Sequence, residues 1–150
     1  MRSLAELETE LDAFQPAPHA ADAARNLLTI AEQALEHWVT GRGEAPSAER
    51  NEGFRLLALH RQGARGEPGF NACRESCREV AYHYNLLCGE PGHPQAAQRQ
   101  RMMALLAKHV VLFVSGRMQQ QQLGEFCCAS RPLRAAPAAD DNKERESTWL

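Results

Sequence analysis

Two cysteines and two histidines are the residues of this chain whose types and spacing could do chemistry together. Cys73 and Cys77 stand four apart, and Val80, Tyr84, Leu87 and Cys88 continue the same stripe. On a helix all six fall within about 100° of one another. His60 falls on the stripe of Gly53, Leu57 and Ala64, and His109 falls amid Met102, Leu105, Leu106 and Phe113. This periodicity expects both imidazoles to face inward. With antiparallel helices folded about turns near Gly66 and Pro91, Cys73 comes level with His60 and with His109, and Cys77 lies one turn away. Two thiolates and two imidazoles suit zinc or another soft divalent ion. The expected metal site is therefore His60, Cys73, Cys77 and His109.

The same residues admit two other readings. Free cysteine packs as a small hydrophobe. A thiol beside an imidazolium has a lowered pKa and can sense oxidants where solvent reaches it. A Cys73–Cys77 disulfide is disfavoured, since side chains four apart on a helix hold their Cβ atoms ~5–6 Å apart and a disulfide wants ~3.8 Å.

The side of that helix away from the cysteines carries Arg78, Tyr82 and Leu86, expected to meet a protein partner or a second copy in a homodimer. The loop Gln62–Gly69 is glycine-rich and basic, but it lacks the phosphate-loop spacing and the Lys-Ser/Thr ending. Glu90 and His93 form the sole Glu-x-x-His match, and they fall in a turn, so di-iron carboxylate chemistry has no support. No nucleophile–base pair emerges from the spacing, which leaves catalysis the least favoured class.

Apolar residues make up 43% of the 150-residue chain and aromatics only 6%. An aliphatic, alanine-rich core of that kind favours helices over sheet. Ser3 and Glu6 predict a capping box opening a short helix to about Phe14. Pro16 and Pro18 separate it from a second helix over 19–39, with Ala20, Ala24, Leu27, Ala31, Ala34 and Trp38 on one stripe. A third helix is expected from Ser47, with Glu49 in its first turn. A fourth runs from about Asn71 to Cys88, and a fifth from Pro94 to about Met118, which Gln119–Gln122 can extend.

The expected fold is all-α: an antiparallel up-down bundle of about four long helices with a short N-terminal helix, over residues 1–130. Residues 131–150 lack periodicity and read as a disordered tail. The acidic start and the odd count of five cysteines favour a reduced, cytoplasmic setting. The apolar run Met102–Val114 is shorter than the ~20 residues that a membrane span needs. Residues 1–49 carry three Arg and nine acidic residues, whereas residues 94–134 carry six basic residues against Glu125 alone. Docking of acidic on basic helices accounts for this asymmetry. A nucleic-acid surface, helped by Arg50, Arg55, Arg61, Arg65, Arg74 and Arg78, is the third reading. The leading one is a small binding or regulatory protein working through protein–protein contacts. A metal-binding or thiol-based sensor comes second.

Overall fold

The computed structural model describes residues 1–123, and within them the chain is helical. Five α-helices pack together: α1 (Leu4–Asp12), α2 (Ala20–Gly41), α3 (Arg55–Ala64), α4 (Arg74–Gly89) and α5 (Ala96–Gln120). A 3-10 turn, Pro68–Cys73, leads into α4. An isolated bridge, Asn51–Phe54, is the only β pairing among the described residues. The expected boundary at residue 130, the tail over 131–150, and Cys127 and Cys128 lie outside them. Among the described residues no helix is long and apolar enough to cross a membrane.

The start of α1 follows from its cap. The Ser3 hydroxyl accepts from the Glu6 amide at 3.1 Å, and the Glu6 carboxylate accepts from the Ser3 amide at 2.8 Å. These two bonds satisfy donors that a helix start leaves without partners. α2 lies at the centre, touching α1, α3, α4 and α5. Its stripe of Ala20, Ala24, Leu27, Ala31, Ala34 and Trp38 is buried as the spacing predicts. Small side chains let the buried face of α5, which includes Ala104, Ala107 and Val111, come close. Contacts from the α4 side run in reverse order along α5: Glu67 with Arg117, Ser76 with His109, and Glu90 with Arg99. α4 and α5 therefore run in opposite directions.

Two elements depart from expectation. The third helix starts at Arg55, not at Ser47. Glu52 and Gly53 both take positive φ, 54° and 85°, a conformation that breaks a right-handed helix. The Ser47 hydroxyl does accept from the Glu49 amide at 3.0 Å, but this closes a local turn instead of capping a helix. Arg55 then holds the segment in place, donating to the Ser47 carbonyl at 2.8 Å and pairing with Glu36. The second departure is at the fourth helix, whose first turn is the 3-10 segment Pro68–Cys73.

Candidate functional site

Three of the four predicted metal ligands meet around the 3-10 turn. Its proline and glycine bring Phe70 under the end of α3, where the ring stacks on Trp38 with centroids 4.7 Å apart. Gly63 admits this packing, because a Cβ there would lie 2.6 Å from the Trp38 ring. The Trp38 indole N–H donates to the Gly63 carbonyl at 2.9 Å. With Phe70 fixed, its carbonyl oxygen accepts from His60 Nε2 at 3.1 Å and from the Cys73 thiol at 3.5 Å. His60, Cys73 and Cys77 are all buried, and Cys73 is only 1% exposed.

Cys73 is the middle member of this group. The neighbouring Cys77 thiol, opposed by burial and aided by His60, holds the Cys73 thiol down to about 6 from the usual 9.0. Cys77, the donor in that pair and itself deeply buried, is pushed well up. The arrangement can store a proton between two sulfurs and present a thiolate to an imidazole. It cannot present that thiolate to solvent, and reactivity at a thiol requires access.

The fourth predicted ligand stands elsewhere. His109 is exposed, and its Nδ1 is hydrogen-bonded to the Ser76 hydroxyl at 2.7 Å. The expected level with Cys73 is displaced by three residues, most of a helical turn. The face of α5 is also different from the one expected. Met103, Ala104, Ala107, Val110, Val111, Val114 and Met118 are buried, while Met102, Leu105, His109 and Leu112 lie on the other side of the helix and are exposed. Both faces of α5 are apolar, so periodicity alone named the wrong one. Among the described residues, no three His, Cys, Asp or Glu side chains are placed to hold a metal ion together. The inward-facing Cys/His tetrad expected for zinc is thus corrected to a buried trio, with His109 outside it.

The predicted contact residues separate too. Tyr82 is exposed, at 58%, and Leu86 is half-buried. Arg78 turns away to Glu52 in a two-pronged ion pair at 3.0 and 3.1 Å. On α5, Leu105 is 63% exposed, Met102 46% and Leu112 43%. Sequence reasoning missed these as surface residues, although their alternating three-and-four spacing was visible. It also missed Phe70 and Ser76, and it read Trp38 as core without its stacking on Phe70. No protein-family model, curated protein or solved structure matches the chain.

Proposed function

We propose that this chain is a small helical-bundle binding protein, built up-and-down, that works through a protein contact on the outward side of α4 and α5. The occupant of that side is a second copy of the chain. One observation carries the reading: of the five large apolar side chains left exposed among the described residues, four are Tyr82, Met102, Leu105 and Leu112. Single exposed apolar residues are ordinary, but three on one face of α5, with Tyr82 exposed on α4, support a contact surface.

Met102, Leu105, His109 and Leu112 repeat at alternating intervals of three and four, the period at which one helix seats against another. A stripe of that period on one copy supplies the matching stripe on the next, which satisfies the self-complementarity of a two-fold interface. Tyr82 fits the aromatic enrichment of interface cores. Cys73, Cys77 and Cys88 are all free thiols, in keeping with a reducing, cytoplasmic setting.

Analytical ultracentrifugation of the full chain tests the proposal. The wild type is expected at twice the monomer mass, and the double variant Leu105→Glu/Leu112→Glu at the monomer mass with unchanged helical circular dichroism. A wild type that sediments as a monomer at high micromolar concentration removes the self-contact reading.

A further inference from the structure

Towards the start of α4, one turn before Tyr82, an open cleft of about 330 Å³ lies between α3, the first turns of α4 and the segment before α3. Arg61 and Arg65 line it from α3, Arg74 and Arg78 from α4. Each pair is four residues apart: Arg74 and Arg78 stand on successive turns of α4, whereas Arg61 is in α3 and Arg65 is the extended residue just past its end. Like charges at that spacing destabilise a helix. Only α4 carries such a pair along its length, and both pairs border the same cleft.

Acids neutralise two of the four arginines, and one of those acids, Glu52, itself lines the cleft. Glu52 pairs with Arg78, and Glu44 pairs with Arg65 at 3.3 Å. Among the described residues, Arg61 and Arg74 have no ion-pair partner. The remaining lining adds amide groups from Asn51 and Asn71, the Glu52 carboxylate held by Arg78, the apolar Leu57 and Ala64, and His60 as its one buried side chain. Guanidinium forks match the oxygens of phosphoryl groups in two-pronged hydrogen bonds, and amides complete such a shell. The volume is at the lower end of the range for small-molecule sites, ~300–1,000 Å³. Phe, Tyr and Trp are absent from the lining, so the cleft offers no platform for base stacking, on which single-stranded nucleic-acid binding depends.

From this we infer that the cleft is a binding site for a small phosphorylated molecule with two phosphoryl groups, one held by Arg61 on α3 and one by Arg74 at the start of α4. The inference is independent of the self-contact on the outward side of α4 and α5.

Calorimetric titration of the full chain with pyrophosphate, at low and at moderate salt, tests it. Saturable one-to-one binding is expected, with orthophosphate much weaker. Arg61→Gln and Arg74→Gln are each expected to weaken it roughly tenfold or more, the usual effect of losing a charge-assisted hydrogen bond. Arg101→Gln, the same charge change at an exposed site on α5, is expected to bind like the wild type. Circular dichroism of each variant guards against a folding defect. No binding of pyrophosphate, equal weakening by all three variants, or a single-stranded oligonucleotide binding in the cleft while pyrophosphate does not would each overturn the assignment.

Discussion

The inward and outward sides of α5 are both apolar, yet one is sealed and the other is bare. Between Met103 and Met118, the inward side of α5 is built from short or compact residues, Ala104, Ala107, Val110, Val111 and Val114, and its neighbour α2 answers with Ala24, Ala31 and Ala34. The outward side carries the longer Met102, Leu105 and Leu112. Burial in this bundle follows the fit between helix surfaces more than the hydrophobicity of either one. Short side chains let two helices approach until their dispersion contacts are nearly complete. Long ones within that run would hold the axes apart.

Enlarging the inner face is the most damaging way to probe this difference. Ala107 is fully buried. Ala107→Leu is expected to cost about 1–3 kcal/mol by overpacking, read as a lowered urea midpoint at unchanged slope. Leu105→Ala removes as many atoms as that change adds, but on the outer side. In the monomer it is expected to shift stability by no more than about 0.5 kcal/mol. Equal losses from the two variants would show that both sides of α5 are packed, and would also remove the exposed row on which the self-contact depends.

The same contrast explains what could be read in the sequence. The α1 capping box and the alanine stripe of α2 were legible because each rests on local spacing. α2 also has a single dominant apolar face. The helical class was legible from composition for a similar reason. α5 was not, because its two apolar faces give periodicity no unique answer, and the choice is made by α2 across the interface. The start of α3 was hidden by tertiary ties: Arg55 to Ser47 and Glu36, with Glu52 in a left-handed conformation that sequence rarely announces for a non-glycine residue. Gly63 reads as a helix breaker, yet it lies within α3 and serves as the flat seat for Trp38. For the chemical site, sequence placed Cys73, Cys77 and His60 inside but could not fix the α4–α5 register, and a three-residue displacement was enough to leave His109 on Ser76.

The buried thiols provide the finest probe of the inner side. Cys73 titrates near 6 chiefly because the Cys77 thiol donates to it, with His60 adding to the effect. An unfolded chain would titrate this thiol near 9.0. Because the folded value is the lower one, deprotonation favours the folded state: this contribution is fully present above 9, declines as pH falls, and is lost as pH falls through 6. Cys77 is shifted the other way, and its contribution is constant below the usual thiol value, so between pH 6 and 9 the slope belongs to Cys73. Thiolate absorbance near 240 nm is expected to show one component rising through about pH 6 in the wild type and missing in Cys73→Ser. Cys77→Ala is expected to move that component upward in pH and to flatten the gain in stability over the same interval. If the Cys73 component titrates at the usual thiol value, or ignores the loss of Cys77, the two sulfurs share no proton and the inner side of α4 is packing alone.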